Sequence, residues 1–121
     1  MAKKILLIDD EKDIVDIEKA ILENEGYQVV AAYDGEEGVS KAFSEKPDLI
    51  ILDIMMPKLD GFGVAQKLKE SKESFHVPII MLTAKDMQVD REKGLALGVS
   101  AYIVKLFDLE ELRRIVKELI G

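Results

Sequence analysis

Short apolar runs alternate with helical spacings along the chain. The runs are Lys4-Ile5-Leu6-Leu7-Ile8, Gln28-Val29-Val30-Ala31-Ala32, Leu49-Ile50-Ile51-Leu52-Asp53, Pro78-Ile79-Ile80-Met81-Leu82-Thr83 and Ala101-Tyr102-Ile103-Val104. Each is too short for a helix and nearly continuous in apolar character, which reads as a strand buried on both faces. Pro78 stands at the first residue of its strand, where a missing N–H is tolerated.

The stretches between these runs carry helical signals. From Asp13 a helix is expected with Ile14, Ile17, Ile21 and Leu22 on its inner face and Asp16, Glu18, Lys19 and Glu23 opposite; Asn24 to Gly26 end it. Asp34 and Glu37 have the spacing of a capping box, in which Asp34 accepts from the Glu37 amide and the Glu37 carboxylate reaches back. The helix they start buries Val39, Ala42 and Phe43 and breaks at Pro47-Asp48. Asp60 caps a third helix that buries Phe62, Ala65 and Leu68. A weaker helix is expected over Asp90 to Leu97, interrupted by Gly94 and stopped by Gly98. Asp108 to Glu111 form another capping box, and Leu109, Leu112, Ile115, Val116 and Leu119 give the last helix a clear apolar stripe.

Strands alternating with helical crossovers mean a parallel sheet covered on both faces. The length of 121 residues suits one domain, expected to span residues 1–121, with no internal repeat or linker and nothing left over for a second domain. Acidic residues outnumber basic ones by 24 to 17, a net charge of -7 that repels phosphate backbones, so direct nucleic-acid binding is not expected. The absence of cysteine excludes disulfides and thiolate metal sites. A single histidine, His76, cannot build a zinc site or a Ser-His-Asp triad and reads as a surface residue. The apolar runs fall far short of the roughly 20 residues of a membrane span. Lys3-Lys4 precedes too short a run for a signal peptide. A soluble, cytoplasmic protein is expected.

In a parallel sheet the carboxyl ends of the strands share one edge, where ligands bind in such folds. Asp9 and Asp10 follow the first strand, Asp53 ends the third, Thr83 ends the fourth with Ala84 after it, and Lys105 follows the fifth. Each alone is an ordinary strand-end polar residue. Together they suit one chemistry. Clustered carboxylates repel one another unless a cation intervenes, and an all-oxygen set without Cys or His suits Mg²⁺ or Mn²⁺. Lys105 supplies a positive charge, Thr83 a hydroxyl donor, and Ala84 an amide with room above it. An anionic phosphoryl group is the natural guest, with Asp53 as the nucleophile that accepts it.

These motifs, Ile8-Asp9-Asp10-Glu11, Leu52-Asp53-Ile54-Met55-Met56-Pro57 with Asp60-Gly61, Leu82-Thr83-Ala84 and Tyr102-Ile103-Val104-Lys105, resemble those of bacterial two-component response-regulator receiver domains of the single-domain, chemotaxis type, over essentially the whole chain. The resemblance implies a flavodoxin-like three-layer sandwich with strand order 2-1-3-4-5 and five helices. It implies that Asp53 takes a phosphoryl group from a phosphohistidine on a sensor histidine kinase or histidine phosphotransfer protein. Asp10, Asp53 and the backbone carbonyl of Met55 would bind Mg²⁺ directly, and Asp9 mainly through water. Thr83, the Ala84 amide and Lys105 would contact the phosphoryl oxygens. Thr83 would move towards the phosphate on activation and Tyr102 would turn inward, changing the partner preference of the face made by the fourth helix, fifth strand and fifth helix. Met55 and Lys85 stand where the family tunes loss of the phosphoryl group. Such a chain is a phosphoacceptor rather than an enzyme, at most phosphorylating itself from small donors and dephosphorylating itself. It is expected to be a monomer or weak dimer acting on an unknown output protein.

One departure stands out. The family usually has Pro after this lysine, joined by a cis bond; here it is Leu106. A cis bond before a non-proline residue costs about 2.5–4 kcal/mol, so a trans Lys105–Leu106 bond and a repositioned loop are expected. Three other readings share parts of the pattern. A flavin-binding module would need a Ser/Thr/Gly-rich phosphate loop after the first strand, where this chain has Asp9-Asp10-Glu11, which repels phosphate. An aspartate-nucleophile phosphatase would place an Asp-x-Asp pattern after the first strand. A phosphorylation-independent interaction module on the receiver fold is kept open by Leu106.

Overall fold

The computed structural model of the chain describes residues 2–56, 59–83, 88–104 and 109–121. Ten elements alternate: β1 (Lys4–Ile8), α1 (Lys12–Asn24), β2 (Gln28–Ala32), α2 (Gly35–Glu45), β3 (Leu49–Asp53), α3 (Gly61–Glu70), β4 (Ile79–Thr83), α4 (Gln88–Ala96), β5 (Ala101–Val104) and α5 (Leu109–Ile120). The strands form one parallel sheet in the order β2-β1-β3-β4-β5. This is the flavodoxin-like three-layer arrangement expected from the motifs.

Side chains of a strand alternate between faces, and here they divide the core in two. Leu6, Ile8, Ile50, Leu52, Ile79, Met81 and Tyr102 meet α2 and α3 through Ala42, Phe62, Ala65 and Leu68. Ile5, Leu7, Leu49, Ile51, Ile80, Leu82 and Ile103 meet α1 and α5 through Val15, Leu22, Leu112 and Val116. Every residue of β3 is buried, as a central strand covered on both faces requires.

Three expectations shift. Helix α1 buries Val15, Glu18 and Leu22, while Ile17 is 51% exposed. Positions 15, 18 and 22 form one seam at 3.6 residues per turn, and Ile17 lies beyond Ile14 and Ile21 on the far side from Val15. The Ile-rich stripe is therefore the edge of the buried face rather than its centre. Strand β4 begins at Ile79; Pro78 flanks it and offers its carbonyl to the Ile50 amide at 3.0 Å. Helix α4 begins at Gln88, ahead of Asp90, and ends at Ala96.

Two of the expected caps are present. Asp34 Oδ1 accepts from the Glu37 amide at 2.8 Å, and Asp60 Oδ1 accepts from the Gly63 amide at 2.9 Å. The Glu37 carboxylate passes its own cap residue and accepts instead from the Tyr33 amide at 2.7 Å. The cap expected at Asp108 lies outside the described residues.

Candidate metal and phosphoryl site

β1 and β3 are neighbours, and Ile8 pairs with Leu52. The next position on each strand is therefore an aspartate, Asp9 beside Asp53, at the carboxyl edge of the sheet. The Asp9 amide donates to the Ala32 carbonyl at 3.0 Å, extending the β1–β2 ladder by one residue. Asp9 Oδ1 accepts from the Glu11 amide at 3.0 Å. That short turn bends the chain away from the strand and leaves Asp10 and Glu11 exposed above the edge, while Asp9 and Asp53 are each only 3% exposed.

One carboxylate oxygen from each of Asp9, Asp10, Glu11 and Asp53 can be chosen so that all lie within 4.8 Å of one another. The fold thus collects the three predicted aspartates, two buried and one at the mouth. It adds Glu11, which was read only as part of a motif. The signal for Glu11 was its place two residues after Asp9, where an aspartate-centred turn brings it over the edge.

The far side of the site is held by backbone. The Ile54 amide donates to the Leu82 carbonyl at 3.2 Å, and the Ile54 carbonyl accepts from the Gly61 amide at 2.8 Å. Met55 is 57% exposed and Met56 packs against the core. Beside the acidic turn, Lys12 Nζ lies 5.4 Å from the centroid of the Tyr33 ring.

β4 brings Thr83 to the same edge, opposite Val104 of β5. The expectations for Ala84, Lys85, Lys105 and Leu106, including the trans bond, and for the Thr83 side chain lie outside the described residues. Tyr102 is 8% exposed in the cluster with Met81 and Val99. His76 is exposed, as its polar surroundings suggested.

The profile of the response regulator receiver domain matches residues 5–117 of this chain. The chain belongs to the response-regulator receiver family. Across 120 residues it is 49% identical to the alkaline phosphatase synthesis transcriptional regulatory protein PhoP of Bacillus subtilis (strain 168), covering 99% of this chain and 49% of that protein. The receiver thus spans about half the length of this curated relative. The Vibrio cholerae chemotaxis protein CheY4 has a TM-score of 0.93 at 30% identity, covering 99% of this chain and 100% of that one. The receiver domain of sensor histidine kinase PA1611 from Pseudomonas aeruginosa PAO1 has a TM-score of 0.91 at 35% identity, covering 100% of this chain and 99% of that one. Its structure has a magnesium ion coordinated in the active-site cleft.

The donor set of the present receiver fits such an ion. It is made of carboxylate oxygens alone, from two adjacent strand ends and the turn after one of them, within a span one small cation can bridge. Among the described residues, no helix is long and apolar enough to cross a membrane.

Proposed function

We propose that this receiver accepts a phosphoryl group on Asp53 from a phosphohistidine of a sensor histidine kinase or histidine phosphotransfer protein. The observation that carries the reading is the meeting of Asp9, Asp10, Glu11 and Asp53 at one point of the sheet edge. A carboxylate oxygen of Asp53 attacks phosphorus, the P–N bond breaks, and the histidine nitrogen leaves with the electron pair and is protonated. The product is an acyl phosphate on Asp53.

Asp10, Asp53 and the Met55 carbonyl would hold Mg²⁺ directly, and Asp9 mainly through water; Mn²⁺ suits the same oxygens. When bound, the cation offsets the negative charge that gathers between carboxylates and phosphoryl oxygens. Burial of Asp53 fixes the nucleophile's approach, and Asp9, held in its turn by the Glu11 amide, orients the acidic set. Lys105, Thr83 and the Ala84 amide take the phosphoryl oxygens. Thr83 then moves towards the phosphate, and Tyr102 reports the change on the face of α4, β5 and α5. The receiver so read is a phosphoacceptor rather than a turnover enzyme, spanning residues 1–121, monomeric or weakly dimeric, cytoplasmic, and passing its signal to a protein rather than to nucleic acid or membrane.

The test is incubation with acetyl phosphate or a phosphorylated histidine donor plus Mg²⁺, followed by intact mass. One added phosphoryl group, absent in Asp53→Asn and absent without divalent cation, is the expected result. Protein that stays unlabelled under both donors would overturn the reading in favour of a phosphorylation-independent interaction module.

A further inference from the structure

Helix α4 brings a glycine and two cation–π contacts against the core. Its segment, Gln-Val-Asp-Arg-Glu-Lys-Gly-Leu-Ala, is poor in apolar residues, and Leu95 is turned outward at 54% exposure. Among the described residues of the helix, the buried one is Gly94. A Cβ there would stand 3.0 Å from Met81 Sδ, 3.5 Å from Val99 Cγ2 and 3.7 Å from Tyr102 Cδ2. The glycine lets the helix backbone approach the Tyr102 ring, but it contributes no side chain to hold it there.

Cations flank this bare position. The Arg91 guanidinium carbon, one turn earlier, lies 4.6 Å from the centroid of the Tyr102 ring, and Lys93 Nζ lies 4.4 Å from the centroid of Phe62 on α3. Both distances are within the roughly 6 Å at which a ring face attracts a cation, and arginine is the more common partner. Both rings are buried, at 8% for Tyr102 and 9% for Phe62, so water competes less for their faces than at an open surface.

We propose that Arg91 is a positioning residue that holds the Tyr102 ring inward, the position to which the ring turns on activation, and so biases the signalling face toward its activated arrangement before any phosphoryl group arrives. This rests on the phosphorylation switch proposed above. A contact made in one of two conformations and lost in the other biases their ratio by its own free energy. A ring that swings outward leaves the guanidinium behind, and Gly94 has no side chain to follow it. Loss of one cation–π contact of ordinary strength lowers the inward-to-outward ratio about fivefold.

The experiment uses unphosphorylated protein with ¹³C-labelled tyrosine. Contacts of the Tyr102 ring to Met81 and Val99 are read as nuclear Overhauser effects in wild type, Arg91→Lys and Arg91→Gln. The expected result is a strong inward signal in wild type, a signal weakened in step with an about fivefold shift in Arg91→Gln, and recovery in Arg91→Lys. Denaturant unfolding of Arg91→Gln, Tyr102→Leu and the double variant gives the coupling: Arg91→Gln is expected to destabilise the wild type and to cost less in the Tyr102→Leu background. An unchanged ring position in Arg91→Gln, or an equal cost in both backgrounds, overturns the proposal. Asp53 labelling is followed by mass in parallel, and its absence would count against the phosphoryl-transfer reading without touching the clamp.

Discussion

Gly61 lies directly against Asp53. A Cβ on Gly61 would fall on the Asp53 carbonyl oxygen and 2.7 Å from the Ile54 Cα, both backbone atoms that cannot swing aside. Gly61 is also the first residue of α3, so the helix start and the Asp53 strand share one contact. Helix propensity alone would favour Ala here by about 1 kcal/mol. We expect the opposite sign: Gly61→Ala should destabilise by about 1–3 kcal/mol through overpacking and slow Asp53 labelling, because the strand end must move. Denaturant unfolding read beside acetyl phosphate labelling checks both.

The acidic turn predicts a dependence on divalent ions. Four carboxylates gathered at one point favour any state in which a cation is bound between them. A ligand that binds only the folded chain stabilises it by about 2.7 kcal/mol at a hundred times its Kd. Mg²⁺ should therefore raise the melting temperature in a concentration-dependent way, chelator should reverse it, and Asp10→Asn should blunt the response. Calorimetry across a Mg²⁺ series is the measurement.

The rotated face of α1 makes its own prediction. Leu22 is fully buried and Ile17 is 51% exposed. Leu22→Ala should cost about 2–5 kcal/mol, whereas Ile17→Ala should stay within about 0.5 kcal/mol. Comparable losses at the two positions would mean that the helix packs in the phase suggested by its isoleucines.

Tyr27 bears on alkaline stability. Burial, and after it the nearby Glu25 carboxylate, raise its phenol above the ordinary 10.0. The folded chain then holds this proton more tightly than the unfolded chain does. The corresponding stability is fully present below pH 10.0 and is lost as pH rises through the folded value. Ultraviolet titration of wild type and Tyr27→Phe should differ by one late-ionising tyrosine, and the substitution should flatten the alkaline loss of stability.

Much of this molecule could be read from its residues, for identifiable reasons. The strands were legible because burial on both faces leaves continuous apolar runs. Only Pro78 was misplaced, by a residue that cannot donate to the ladder. The caps at Asp34 and Asp60 were legible because the pairing is local, spanning three residues. The α1 phase was not, since Ile14, Ile17 and Ile21 outnumber Val15 and Leu22 while Glu18 occupies the middle of the seam. The meeting of Asp9, Asp10 and Asp53 at one edge was legible from the strand ends alone. Glu11 needed the turn at Asp9, whose hydrogen bond the two-residue spacing allows but does not by itself require. The link from Arg91 to Tyr102 depends on how α4 lies on β5, a tertiary fact reached only through coordinates.

The pairing of Ile8 with Leu52 carries one last consequence. The two innermost carboxylates sit 44 positions apart along the chain, and only that strand register makes them neighbours. A half-folded or misthreaded copy has the same residues but no place where they meet, so damaged copies should be deaf to the phosphodonor. Competence to receive a signal would then be a property that only the finished fold confers, and labelling efficiency would double as a gauge of how many molecules in a sample are correctly built.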